Sequence, residues 1–303
     1  MCQGISAIAV QRGDRRLYFK SGVNSHSDIR EEFNLKDTQP QEQVNLEAHL
    51  YGDFFNIKDW RIVIDHKVGD ISDWFKEDQS AIEGLFWDIL EEEIKETKTS
   101  NTYKGDLTLD YLKDGSGIKL PKTITGDLNL CSLTTAKGLV LPETLGGSLD
   151  LYSLTTAQGL VLPKTLGGSL GLTSLTTAKG LVLPKTIDGS LYLGNLTTAQ
   201  GLVLPKTLGG SLNLSSLTTA KGLVLPKTIG GNLSFSSLTT AKGLVLPKTI
   251  GGYLYLGNLT TAQGLVLPKT IDGYLYLNSL TTAQGLVLPK GFDISNYDGP
   301  KIK

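Results

Sequence analysis

The 303-residue sequence predicts a mainly β protein: a β-solenoid of 21-residue coils preceded by a small α+β N-terminal domain. Three observations carry that expectation. Proline recurs at Pro121, Pro142, Pro163, Pro184, Pro205, Pro226, Pro247, Pro268 and Pro289, each 21 residues after the last. A period of this length, held without a slip, belongs to stacked repeat architectures. Within one unit, "GGSLDLYSLTTAQGLVLPKTL" (Gly146 to Leu166), apolar residues alternate in the two short runs GSLDL and GLVLP. Alternation of period 2 is the strand signature, because successive side chains point to opposite faces. Residues 1–100 share none of this regularity.

That N-terminal stretch reads as a domain of its own. GISAIAV and RRLYFKS flank QRGD and predict a hairpin. SHSDIREEF starts a short helix: Ser25 with Asp28 three residues on resembles a capping box, and Ile29 and Phe33 share a face. VNLEAHLY and DWRIVIDH read as two more strands. The clearest helix follows Asp78, with Ser80 and Glu83 as its capping box and Ile82, Leu85, Phe86, Ile89 and Leu90 on one stripe. The polar run KETKTSNTYKGD is expected to join this domain to the array. A solenoid end exposes leucines and unpaired strands, so the simplest role for the domain is a cap. At about 100 residues it exceeds that need, which leaves effector docking or catalysis open.

Residues 101–290 are expected to form about nine coils. The Gly146-Gly147 pair and the Leu-Pro step fit corners. Leu128, Leu130, Leu133, Leu139 and Leu141 should point inward, with Leu149, Leu151, Leu154, Leu160 and Leu162 of the next coil on top of them. One coil cannot enclose that many leucines; stacked coils can. At roughly 4.8 Å per coil the array would span about 43 Å. Residues 291–303, GFDISNYDGPKIK, break the repeat and predict a polar C-terminal cap.

The unit LPxx(I/L)xGxLxLxxL, seen at Leu225, Pro226, Ile229, Gly231, Leu233, Phe235 and Leu238, resembles the leucine-rich-repeat-like tandem arrays of bacterial and phage proteins. The resemblance covers roughly residues 103–290 and implies a binding scaffold. Ordinary leucine-rich repeats carry Asn or Cys after LxLxx; here Leu133, Leu154 and Leu175 stand there, which favours a straighter β-solenoid over a horseshoe.

The units also differ from one another, and the variation concentrates in one place. LTTA and GLVLP are invariant across eight units, while the GxLxLx strand varies at its outward positions. The first outward column reads Asp127, Ser148, Ser169, Ser190, Ser211, Asn232, Tyr253, Tyr274. The second reads Asn129, Asp150, Gly171, Tyr192, Asn213, Ser234, Tyr255, Tyr276. Such positions are either free to drift in solvent or form a tunable recognition face. On the second reading Tyr253, Tyr255, Tyr274 and Tyr276, with Tyr192 further along, are the candidate binding residues for a protein or glycan partner, tyrosine offering large contact area with few rotatable bonds.

Three other readings compete. Lys164, Lys185, Lys206, Lys227, Lys248 and Lys269 would line up as a cationic ladder, either a track for nucleic acid or another anionic polymer, or a solvated guard against edge aggregation. Threonine columns such as Thr134, Thr135 and Thr144 resemble the ladders of ice-binding solenoids, although corner threonines more often bond their own backbone. Removal of Met1 would leave Cys2 as an N-terminal nucleophile with His26 as a candidate partner and the solenoid as targeting arm. No HxH, CxxC or HExxH spacing accompanies it, so neither a metal site nor a cofactor is expected.

Composition bounds the rest. Net charge is −1, but residues 1–100 hold 12 basic against 20 acidic side chains and the remainder 17 against 10, so an acidic head precedes a basic body. Two cysteines cannot scaffold a chain this size and fit a reducing compartment. The N-terminus lacks the basic run of a secretory signal, and no apolar run approaches about 18 residues, so neither a signal nor a membrane partner is expected. The expected place is the cytoplasm of a bacterium, or of its host cell if the chain is phage-encoded. The favoured function is non-enzymatic recognition.

Overall fold

The computed structural model describes residues 4–11, 16–19, 26–35, 43–64 and 73–302. Four antiparallel strands open the chain: β1 (Ile5–Val10), β2 (Arg16–Phe19), β3 (Gln43–Leu50) and β4 (Trp60–Ile64), in the order β2-β1-β3-β4. The expected hairpin closes with Val10 opposite Arg16. Alternation divides β1 between two cores. Ile8 and Val10 meet Ile29 of helix α1 (His26–Glu32), while Ile5, Ala7 and Ala9 face the main core. Phe33 follows α1, remains 40% exposed and packs against Tyr18 with ring centres 5.2 Å apart. Cys2, Ser25 and His66 lie outside the described residues.

Helix α2 (Asp73–Ser100) departs from the expected bounds at both ends. Ser80 and Glu83 sit inside it, because Trp74 and Phe75 extend its buried stripe upstream. Burying two large aromatic rings outweighs a cap worth about 1 kcal/mol. Ile82, Phe86 and Leu90 are buried as expected, whereas Leu85 is 49% exposed. The polar KETKTS run forms the last turns of the helix rather than a linker. Asn101, with φ 50°, ends it in the left-handed conformation common at helix C-termini. Asn101 also starts the array: its Oδ1 accepts from the Lys122 N–H at 2.8 Å.

From Thr102 the chain winds into a β-solenoid of about nine 21-residue coils. Each coil supplies two very short strands, such as Leu149–Asp150 and Thr165–Leu166. Strands of the first kind stack in parallel from Leu107–Thr108 to Tyr297–Asp298, making a ten-stranded sheet. Strands of the second kind form a four-stranded and a five-stranded sheet. The register is the repeat itself: Leu128, Leu149 and Leu170 are direct neighbours. The GLVLP side carries no assigned strand, in keeping with a proline in every coil that has no N–H to donate.

Corners are built by hydrogen-bonded turns. The Ala136 carbonyl accepts from Leu139 N–H at 3.2 Å around Gly138, whose φ of 78° is what the third position of a type II turn requires. The Leu130 carbonyl likewise accepts from Leu133 N–H at 3.0 Å. A different glycine column, Gly147 to Gly273, never varies because the coils touch there. A Cβ on Gly210 would stand 2.6 Å from the Gly189 carbonyl carbon and 2.5 Å from Ser190 Oγ.

Of the leucines expected inside, Leu128, Leu130, Leu133, Leu149, Leu151 and Leu154 are fully buried and Leu139, Leu141 and Leu160 nearly so, whereas Leu162, beside the proline, is only partly buried. One continuous apolar cluster runs from Ile5 to Leu286, so head and array share a core. The head covers the first coil through backbone pairing of Gly4 with Thr108 and Asp53 with Lys119. Tyr111 adds a hydroxyl bond to the Leu50 carbonyl at 3.0 Å. At the far end Tyr297–Asp298 adds one more strand beside Leu275–Tyr276, and the Tyr297 hydroxyl donates to the Pro300 carbonyl at 3.1 Å.

Candidate functional site

The variable outward columns lie side by side on the ten-stranded sheet, and the first of them has a structural duty. Its side-chain oxygen accepts the backbone N–H of the same position in the next coil. Asp106 Oδ1 takes Asp127 N–H at 2.7 Å, Ser169 Oγ takes Ser190 N–H at 2.9 Å, and Ser190 Oγ takes Ser211 N–H at 2.9 Å. Ser211 Oγ then takes Asn232 N–H at 2.8 Å, and Asn232 Oδ1 takes Tyr253 N–H at 2.7 Å. The column's "drift" from Asp to Ser to Asn is therefore confined to short side chains that accept. The rule ends at Tyr253 and Tyr274, which put aromatic rings where the acceptor had been.

Those rings form one cluster with the second column. Tyr255 and Tyr276 stack face to face, centres 4.8 Å apart and planes 6° apart, because their strands are in direct register. Tyr253 meets Tyr274 edge-on at 5.4 Å and Tyr255 at 6.0 Å. Tyr274 lies 5.9 Å from Tyr276. Tyr253 is 37% and Tyr274 40% exposed, and the inner pair is half-buried. Burial, then the neighbouring Tyr276 and Tyr253, pushes the Tyr255 phenol above its ordinary value. Gly273 makes this possible: a Cβ there would stand 2.2 Å from Tyr253 Cδ1, so the ring lies over bare backbone.

Tyr192 is half-buried and stands apart from that cluster, with Tyr152 as its aromatic neighbour. Tyr152 belongs to a third outward column (Cys131, Tyr152, Thr173, Gly194, Ser215, Ser236, Gly257, Asn278); it is 40% exposed and reaches across Gly171, where a Cβ would meet its Cε1 at 2.5 Å. The clue was the missing side chain at Gly171 in a column otherwise filled. Burial, followed by Asp150, raises the Tyr152 phenol, and burial raises the Asp150 carboxyl in turn. Between the two aromatic regions the surface is hydroxyl-rich: Ser215 Oγ lies 2.8 Å from Ser234 Oγ, and Ser234 Oγ lies 3.1 Å from Ser236 Oγ.

The remaining candidates separate from this surface. Lys164, Lys185, Lys206, Lys227, Lys248 and Lys269 are exposed and stacked; the Lys269 N–H, for example, donates to the Lys248 carbonyl at 2.9 Å. Glu143 interrupts their column, pairing with Lys164 at 2.6 Å, and that contact holds its carboxyl below the usual range. The threonine pairs differ from a strand pair: Thr155 and Thr156 are both exposed because LTTA is a corner, and Thr156 Oγ1 accepts from Gln158 N–H at 3.3 Å. His26 is buried with Nε2 3.1 Å from the Leu46 carbonyl. His49 is buried too, stacked on Tyr111 at 4.1 Å and paired with Glu47 at 3.0 Å. Burial raises the Cys131 thiol, which is the opposite of activation.

A further column lies on the GLVLP side. The valine of each GLVLP stands outward, and from Val161 to Val287 it is 74–78% exposed. Among the described residues no helix is long and apolar enough to cross a membrane. Comparison of the chain with protein-family models, with curated proteins and with solved structures returns no match.

Proposed function

We propose that the protein is a non-enzymatic recognition module whose ten-stranded face engages a protein partner through Tyr253, Tyr255, Tyr274 and Tyr276, with Tyr152 and Tyr192 as a lesser contact. The observation that carries this is the break in the acceptor ladder. For seven coils, Asp106 to Asn232, the first column keeps a short acceptor; at Tyr253 and Tyr274 the chain forgoes it and sets four rings in one cluster, five of their six pairings with centres 4.8–6.3 Å apart. Exposed tyrosine clusters of this kind are the usual anchors of interfaces. A sugar ring lies on an open aromatic face, and the two inner rings each have one face covered by the other while Tyr253 meets both Tyr274 and Tyr255 edge-on, which leaves less open face for stacking; this favours protein over glycan. The likeness of the repeat to leucine-rich-repeat-like arrays agrees with a binding scaffold.

The test replaces all four tyrosines by serine in the full chain. Serine at 253 and 274 restores the acceptor chemistry of the column, so the variant should fold at least as well, with an unchanged circular dichroism spectrum. A random peptide library and a glycan array are then presented to both proteins. Peptide enrichment on the natural chain that vanishes with the variant supports the reading. Enrichment that is equal on both, or confined to glycans, refutes it.

A further inference from the structure

The valine column is a second, unrelated surface, and its chemistry is specific. From Val161 to Val287 each valine is 74–78% exposed, yet from Val140 onward none is exchanged for a polar residue; in the first coil alone, beside the head, Lys119 holds the position. Backbone stiffness does not require valine here, because threonine is equally branched at Cβ and the chain uses it in the Thr144 column. Stacked at about 4.8 Å per coil, the eight valines from Val140 make a continuous apolar ridge about 34 Å long. Isolated exposed apolar residues need no explanation; an unbroken ridge does.

Charge selects the occupant. Three residues before the valine runs a mixed column with Lys137, Lys179, Lys221 and Lys242 and glutamine in the other four coils; three residues after it runs the lysine column from Lys164 to Lys269. All are exposed, and Glu143 is the one acidic side chain in these flanking columns. A second copy of the chain is disfavoured, since any two-fold pairing of the ridge opposes lysine with lysine. Nucleic acid would use the lysines and leave the valines without a role, there being no aromatic rings in these columns for bases to stack on. An apolar stripe bordered by long cationic side chains is the make-up of surfaces that rest in an anionic bilayer interface, the lysine stems lying along the boundary with their charges among the headgroups.

We propose that the GLVLP face docks peripherally on an anionic lipid bilayer, with the valines Val161 to Val266 entering the interface and the two lysine columns holding anionic headgroups. This departs from the sequence expectation of no membrane partner, which rested on the absence of a spanning segment. It leaves the tyrosine face free for its own partner.

The experiment is co-sedimentation of the full chain with vesicles of phosphatidylcholine alone or with about 30% phosphatidylglycerol, at salt from about 0.05 to 0.5 M. Binding is expected to the anionic vesicles alone and to weaken as salt rises. A V182S/V203S/V224S/V245S variant should bind at least about tenfold more weakly, and so should K185Q/K206Q/K227Q/K248Q. The valines are exposed, so circular dichroism and melting of the serine variant should match the natural chain. The tyrosine-to-serine variant should bind vesicles normally, which separates this proposal from the preceding one. Three results overturn it: no sedimentation with the anionic vesicles at low salt, equal sedimentation of the valine variant, or a lipid-free dimer that the valine substitutions dissociate.

Discussion

Replacing Ser190 by alanine tests whether the first outward column is structural. In the structure Ser190 Oγ accepts the Ser211 N–H at 2.9 Å, while Ser190's own N–H is held by Ser169 Oγ at 2.9 Å and is untouched by the change. Alanine leaves the Ser211 N–H without that acceptor. A fully buried orphan donor costs about 1–3 kcal/mol. Ser211 is half-buried, so water reaches part of the site and the lower half of the range applies. We take about 1.4 kcal/mol, a factor of about ten. The right assay is amide hydrogen exchange at Ser211, because opening of one coil need not follow the whole chain and repeat arrays stray from two-state melting. Protection should fall about tenfold in Ser190→Ala. It should recover in Ser190→Asn, since Asn232 performs the same task for Tyr253 at 2.7 Å. Unchanged exchange in the alanine variant, or asparagine behaving like alanine, would refute the reasoning.

Further outcomes follow from the same geometry. Gly210→Ala drives a Cβ into backbone atoms at 2.6–2.7 Å and should lower the melting temperature sharply, whereas Gly222→Ala meets nothing within 4 Å and should cost only the left-handed strain of about 1–2 kcal/mol; equal losses would contradict this. Leu212→Ala, at a side chain 1% exposed, should cost about 2–5 kcal/mol by urea titration, and a neutral result would deny that coils seal one another's leucines. The Tyr255 phenol is raised above its ordinary 10.0, first by burial and then by Tyr276 and Tyr253. A proton held more tightly in the folded state stabilises it below the ordinary value, and that contribution is lost as pH rises through the folded one. Ultraviolet titration should therefore show late-ionising tyrosine that Tyr276→Phe brings downward; no difference would sink the assignment.

The sequence made the array readable because a fixed 21-residue period admits few solutions, and the leucine alternation already faced Leu128, Leu130 and Leu133 inward. The head's four strands and two helices were legible from local signals: a turn between two runs, capping residues and, for the second helix, an apolar stripe. The bounds of α2 were not: a capping box at Ser80 is a local signal, and the burial of Trp74 and Phe75 that overrides it is tertiary. The candidate surface was half legible. The columns could be listed by counting, but Asp127, Ser148 and Asn232 look like drift until their common role as acceptors is seen across the coils. The pairing of Tyr152 with Gly171 needs the stacking geometry, since the two lie in different columns of successive coils. Alternation in GLVLP turned Val161 outward, but its 74% exposure depends on no other described element covering that face.

The central claim is that each coil lies directly on the one 21 residues before it. Cysteine cross-linking in a chain with Cys2 and Cys131 replaced by serine tests it at Asn213 and Ser234, which are register partners on adjacent strands. A disulfide spans Cα atoms up to about 7 Å apart, and neighbouring strands lie about 4.8 Å apart. Asn213→Cys with Ser234→Cys should therefore oxidise readily to an intramolecular bond, while Asn213→Cys with Tyr255→Cys, two strands away, should not. Efficient closure of the second pair, or failure of the first, contradicts the stacked register.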